Sequence, residues 1–248
     1  MTHQMDSEFI ERFGGYQDGQ LAIVLYPEFT ALDVFGPHHM FINLMGERTL
    51  LVAKTREPVI SDTGVYVTPQ LTFEECPEGL LVICVPGGTN GTLRAMQDQA
   101  TLDFLRVRGE QARWVTSVCT GSLVLAAAGL LEGYQATSHW VVRDLLSEFG
   151  AQPVNQRVVV DRNRITGAGV TAGLDCGLEI VARLRGNTYA EGVQLLSEYD
   201  PQPTLNAGTP EKSSPETVRM MRAMFDGFVE NVKQVSAARL SAKAAPAE

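Results

Sequence analysis

The chain has 248 residues, 44% of them hydrophobic and 20% charged, a balance typical of a globular protein with enough material for one large buried core. Twenty basic against 29 acidic side chains leave a net charge of −9, which argues against nucleic acid as a main partner, because phosphate backbones call for a basic surface. No run approaches the ~20 apolar residues of a membrane span, and the four scattered cysteines and four scattered histidines form neither a C-x-x-C pair nor a metal-ligand cluster.

Residues 1–18 are polar and acidic, without the basic and apolar regions of a secretory leader, and read as a loosely ordered extension. No membrane partner is expected, and a cytoplasmic location is the expectation. LAIVLY (21–26) reads as a buried strand, 29–44 has helical spacing, RTLLVAK (48–54) is a second strand and VYVTP (65–69) a short hairpin arm. GLLVICVPGG (79–88) is the clearest central strand, a continuous β-rich run closed by Pro-Gly-Gly. Helix is expected over 93–111, strand over 114–118, a small-residue helix over 121–131 and helix over 140–149. RVVVD (157–161) and RITGA (164–168) flank Arg-Asn and read as a hairpin. Helices follow over 171–184 and 189–198, then a Pro-rich connector, then a last amphipathic helix from Pro215 to about residue 240, with 241–248 a frayed tail. Strands alternating with helices imply βαβ units. The expectation is therefore one α/β domain over 19–240, flavodoxin-like, with a mostly parallel sheet sandwiched by helices.

The segment W-V-T-S-V-C-T-G-S-L-V-L-A-A-A-G carries the most chemistry. A strand ends at Val118, Cys119 follows at once, and a small-residue helix opens with Thr120-Gly121. Strand, tight turn bearing a nucleophile, helix: this is a nucleophile elbow. Gly121 gives the turn room by lacking a Cβ, and the helix N-terminus is expected to lower the thiol pKa. Most free cysteines are merely small buried side chains. Placement at the carboxyl end of a central strand, where open α/β sheets bind ligands, separates Cys119 from Cys76, Cys84 and Cys176, which read as structural.

These residues resemble the DJ-1/PfpI superfamily, through four stretches spread from Leu21 to about Pro210: YPEFTALDVFGPHHMF, VICVPGGTNG, VTSVCTGSLVLAAAGLLEGYQATSHW and ITGAGVTAGLDCGLEIVA. Protease-like members carry histidine after the nucleophile; Thr120 stands there instead. The C-T-G turn and L-D-x-x-G-P segment are shared with isocyanide hydratases and with sensor domains of AraC-type regulators, while VQLLSEYDPQPTLNAGTP resembles the hydratases. The roughly 40 residues after Pro210 read as one helix, which does not fit the further helix-turn-helix domain of a regulator.

Asp33, after the first strand, matches the acid that hydratases place beside the nucleophile. Close to a thiolate in a dry crevice its pKa is expected to rise, so that it can act as general acid. Taken without the resemblance, an N-cap for the following helix fits equally well. Thr120 offers a hydroxyl and an N–H beside the sulfur, with helix capping as the simpler role. Gly88, next to Thr89, is expected to supply a second backbone donor, and Gly169, Val170 and Thr171 a substrate-side wall. His139 fits a structural position at a helix start better than a place in the site. Trp114 and Trp140 read as core or interface aromatics. The resemblance implies turnover of an organic isocyanide and water to an N-formamide through a covalent Cys119 adduct. The substrate is then a small molecule, the enzyme needs no cofactor and no metal, and the assembly is a homodimer. A glyoxalase or other carbonyl hydrolase using the same cysteine is the alternative enzyme. A redox or ligand sensor without turnover is the alternative of another class.

Overall fold

A computed structural model describes residues 14–244, so most of the N-terminal extension (1–13) and the end of the tail (245–248) lie outside the described residues. The apolar runs form the middle of a seven-stranded sheet because both of its faces are covered and each strand there has no polar side to turn outward. In chain order the strands of this sheet are β1 (Gly19–Val24), β2 (Glu47–Ala53), β5 (Leu71–Thr72), β6 (Val82–Val85), β7 (Trp114–Val118), β10 (Val158–Asp161) and β11 (Arg164–Gly167), arranged β10-β11-β7-β6-β1-β2-β5. All neighbours are parallel except β10 and β11, which form the expected hairpin around Arg162 and Asn163. The register sets Ile23 beside Cys84 and Cys84 beside Thr116, and every residue of β6 is buried. β3 (Val59–Ile60) and β4 (Tyr66–Val67) make a small antiparallel arm, and β8 (Gln135–Ala136) and β9 (Gln152–Pro153) a short parallel pair.

One helical layer is α1 (Ala31–Phe41), α5 (Ala172–Arg185) and α6 (Asn187–Leu196). The other contains α2 (Asn90–Ala95), α3 (Gln99–Gln111), α4 (Gly121–Ala127), a 3-10 segment (Arg143–Phe149) and α7 (Pro215–Ala244). The single helix expected over 93–111 is two. Asp98 takes extended geometry and accepts the Thr101 N–H at 3.1 Å, capping α3 and ending the turn before it. α4 stops at Ala127 rather than at 131, with Gly129 at φ +84° turning the chain. The segment expected as helix over 140–149 winds as 3-10 from Arg143, closed by Gly150 at φ +82°. α7 runs past residue 240, burying Phe228, Val232 and Ser236.

Candidate active site

The end of β7 delivers Cys119 in a left-handed conformation, φ +58°, which costs a non-glycine residue about 1–2 kcal/mol and has to be held by its surroundings. Its N–H is shared between the Gly167 and Ala168 carbonyls at 3.1 and 2.7 Å, and its carbonyl accepts from the Ser122 and Ser138 hydroxyls at 3.2 and 3.1 Å. A Cβ on Gly121 would lie 2.1 Å from the Val85 carbonyl oxygen, so the turn needs glycine there. The backbone N–H groups of Val170 and Thr120 hydrogen-bond the sulfur, yet the thiol pKa lies well above its usual value. Burial is the main cause and the nearby Asp33 carboxyl the second, and together they outweigh both N–H groups. The expectation of a lowered thiol pKa is thereby corrected: a helix start seven residues long does not offset removal from water.

Asp33 is completely buried. It does not cap α1, whose N-cap position belongs to Thr30; its Oδ2 accepts the Gly87 N–H at 2.9 Å. Oδ1 is buried without a partner of ordinary hydrogen-bond geometry, and the Cys119 thiol interacts with the same carboxyl group. Burial pushes Asp33 up to about 7, helped by the charge of Asp62, while the Gly87 N–H and the thiol hold it down. The direction is the expected one, but the cause is desolvation rather than repulsion from sulfur.

The Thr120 hydroxyl caps nothing. It accepts the Gly88 N–H at 3.0 Å, donates to the Gly88 carbonyl at 3.0 Å and meets the Thr92 hydroxyl at 2.8 Å. That occupies the Gly88 N–H, and the N–H that joins Thr120's on the sulfur is Val170's rather than the expected Gly88's. Gly88 is needed for close approach, since a Cβ would stand 2.3 Å from the Glu28 carbonyl oxygen. Thr89, at the N-cap of α2, is exposed and makes no capping bond.

Gly169, Val170 and Thr171 line a cavity of about 440 Å³. His139, expected as structural, stands in the same wall: a Cβ on Gly169 would lie 3.0 Å from its Cδ2. Burial lowers its pKa, and its ring neighbours are Trp140 and Phe225 at 5.9 and 5.8 Å. Trp140 therefore belongs to the cavity wall as well. Sequence reasoning missed the opposite wall, where Gly208, Thr209, Pro210 and Glu211 of the Pro-rich connector meet Asn155, which accepts from Arg143 and donates to Glu211. No spacing signal marks that contact. A larger cavity of about 520 Å³, between Tyr26, Pro58 and Arg94, contains none of the residues singled out from sequence. Among the described residues no group of three or more His, Cys, Asp or Glu side chains could hold a metal, and no helix is long and apolar enough to cross a membrane.

A mostly parallel α/β sheet with a strained cysteine at the carboxyl end of a central strand, a buried acid against its sulfur and two backbone N–H groups on it defines an elbow-cysteine α/β protein. The chain belongs to the DJ-1/PfpI family, whose model matches residues 20–183. It is 49% identical over 192 residues to the isonitrile hydratase of Pseudomonas putida, covering 77% of this chain and 83% of that protein. The transcriptional regulator CdhR of Pseudomonas aeruginosa is 36% identical over 144 residues, but the match spans only 41% of the regulator. A crystal structure of a ThiJ/PfpI family protein from Pseudomonas syringae superposes with TM-score 0.91 at 48% identity, covering 95% of this chain and 97% of that one.

Proposed function

We propose that this protein is an isocyanide (isonitrile) hydratase, R–N≡C + H₂O → R–NH–CHO, with Cys119 as nucleophile and Asp33 as proton carrier. The observation that carries the reading is the buried Cys119–Asp33 pair, in which the acid titrates near neutrality; identity to the Pseudomonas putida isonitrile hydratase supplies the substrate class.

As Sγ attacks the terminal isocyanide carbon, the thiol proton passes to the Asp33 carboxylate, which returns it to that carbon, leaving the thioimidate Cys119–S–CH=N–R. Water adds across the C=N bond, giving Cys119–S–CH(OH)–NH–R. Collapse breaks the C–S bond, releases the formamide and returns the hydroxyl proton to sulfur. The Thr120 and Val170 N–H groups, which bond the sulfur at rest, oppose its charge whenever it is a leaving or attacking thiolate. Every proton lost is recovered within the pair and water, so the cycle needs no cofactor.

The test is formamide production from a simple alkyl isocyanide by the purified protein beside Cys119→Ala and Asp33→Ala, with intact-mass detection of the thioimidate. Loss of product in both variants is expected. Turnover of methylglyoxal with none of any isocyanide would establish the carbonyl-hydrolase alternative instead. The enzyme is proposed to work in the cytoplasm as a homodimer, in which exposed apolar side chains of α1 (Leu32, Phe35 and Ile42 at its end) are covered by the second copy; sedimentation equilibrium giving a monomer would refute the dimer.

A further inference from the structure

Three buried hydroxyls next to the reacting pair, those of Tyr26, Thr92 and Thr120, have no part in the mechanism above. Tyr26, just after β1, donates to the Pro86 carbonyl at 2.6 Å and meets the Thr92 hydroxyl at 3.3 Å. Thr92, on α2 and fully buried, meets the Thr120 hydroxyl at 2.8 Å, and Thr120 closes on both backbone groups of Gly88 at 3.0 Å. We propose that Tyr26 and Thr92 are positioning residues of the Cys119 site: Tyr26 holds the peptide whose N–H bonds Asp33, and Thr92 holds the threonine whose backbone N–H lies on the sulfur. The proposal rests on Cys119 and Asp33 being the reacting pair.

The Tyr26 end acts on Asp33. The Pro86 carbonyl and the Gly87 N–H belong to one planar peptide group. Tyr26 bonds its oxygen while the Gly87 N–H bonds Asp33 Oδ2 at 2.9 Å, so the peptide is braced from both sides. Donation to the carbonyl polarises the peptide and strengthens its N–H as a donor. The Gly87 N–H is also the larger of the two influences that hold the Asp33 pKa down. Tyr26 keeps its phenol proton, since burial puts its pKa well above normal, and so it remains a donor throughout the working range.

The Thr92 end acts on Thr120. A hydroxyl has one proton and two lone pairs. With its proton on the Gly88 carbonyl, Thr120 Oγ1 accepts from the Gly88 N–H and, with Thr92 as donor, fills its second lone pair from Thr92. The saturated hydroxyl has nothing left for a substrate, so the threonine is locked and its backbone N–H, the one on Cys119, is set in place. Space is correspondingly tight: a Cβ on Gly87 would stand 2.6 Å from Thr120 N and 2.8 Å from Asp33 Oδ2. Losing the Thr92 hydroxyl leaves a buried lone pair on Thr120 and frees it to turn. The ionisable groups that act on Asp33 or are acted on by it are Cys119, Asp62, Tyr26 and Cys84, and none of them is removed by substituting Thr92.

The experiment is the pH dependence of alkylation by iodoacetamide, followed at Cys119 by peptide mass spectrometry, for the wild-type chain, Thr92→Val, Thr92→Ser and Tyr26→Phe. Thr92→Val is expected to slow alkylation at pH 8 about 5- to 10-fold, the loss of roughly one buried hydrogen bond, and Thr92→Ser to restore it to within about twofold. Tyr26→Phe is expected to move the lower inflection, that of Asp33, to higher pH. With an alkyl isocyanide, kcat falls by a similar factor in Thr92→Val while KM stays within about twofold. Wild-type alkylation profiles in both Thr92→Val and Tyr26→Phe overturn the proposal, because hydroxyls that only supported the fold would change the melting temperature alone. If Thr92→Val does not fold, Tyr26→Phe decides by the same criterion. A wild-type protein that hydrates no isocyanide refutes the proposed function but not this inference, since alkylation needs no isocyanide.

Discussion

Among the described residues, Glu47 and Asp33 carry carboxyl groups withdrawn almost completely from water, and their surroundings could hardly differ more. The Glu47 side chain, at the start of β2, is 1% exposed and holds both oxygens 3.0 Å from Arg185 Nη1; the Arg185 side chain is 0% exposed, also donates to the Met45 and Gly15 carbonyls and lies over the Tyr189 ring. Asp33 has no cation, one backbone N–H and a thiol that prefers to keep its own proton. A buried charge with a matched partner is a structural joint, here tying β2, α5 and the segment around Gly15 together. A buried carboxyl without one gives up part of its charge and becomes a group able to take and return a proton near neutral pH. Stability and reactivity come from the same burial, and the presence of a paired cation, as at Glu47, or its absence, as at Asp33, decides which results.

Asp33 and Glu47 can be disturbed one at a time. Asp33→Ala is expected to cut isocyanide turnover by roughly 10²- to 10⁴-fold, the range for removing a proton-transfer group, as read from kcat with saturating substrate. Arg185→Met leaves Glu47 buried and alone, and is expected to cost about 3–5 kcal/mol, or roughly 10 °C in melting temperature, by calorimetry. An equal loss of turnover in Arg185→Met at temperatures where it is folded would erase the distinction between joint and site.

The pH dependence of stability sharpens the contrast. The native state binds the Asp33 proton more tightly than the unfolded chain does, with a pKa of about 7 against an ordinary 3.8. Its contribution is therefore complete below pH 4 and is lost as pH rises through 7, a change of about 4 kcal/mol. Asp33→Asn is expected to flatten that slope, making the variant more stable than wild type at pH 8 and little different at pH 4, as measured by urea unfolding at both values. The smallest effect belongs to a carboxylate that stays in contact with water: Asp98→Ala removes the α3 cap and is expected to cost about 1 kcal/mol with turnover unchanged.

Much of this was legible before any coordinates. Trp114–Val118 forms over the residues its apolar run marks out, and Cys119 stands out because strand, cysteine, Thr-Gly and a small-residue helix follow one another without a gap. Local patterns of this kind need only neighbours in the chain. Asp98 followed by Thr101 could also have been read as a cap, but apolar spacing carried the helix across it. Other features had no local signal. Val170 reaches the sulfur from a turn 51 positions later, the connector around Pro210 closes the cavity near His139, and Thr92 meets Thr120 across 28 residues.

The α/β architecture and the tight cysteine turn are thus set by periodicity and glycine placement along the chain, while Asp33 is marked as the acid only by its family-like motif. Only the tertiary structure decided the protonation of the pair and the donors around it. Those depend on how much water is excluded and which distant N–H groups converge, quantities that come into existence when the segments pack against one another.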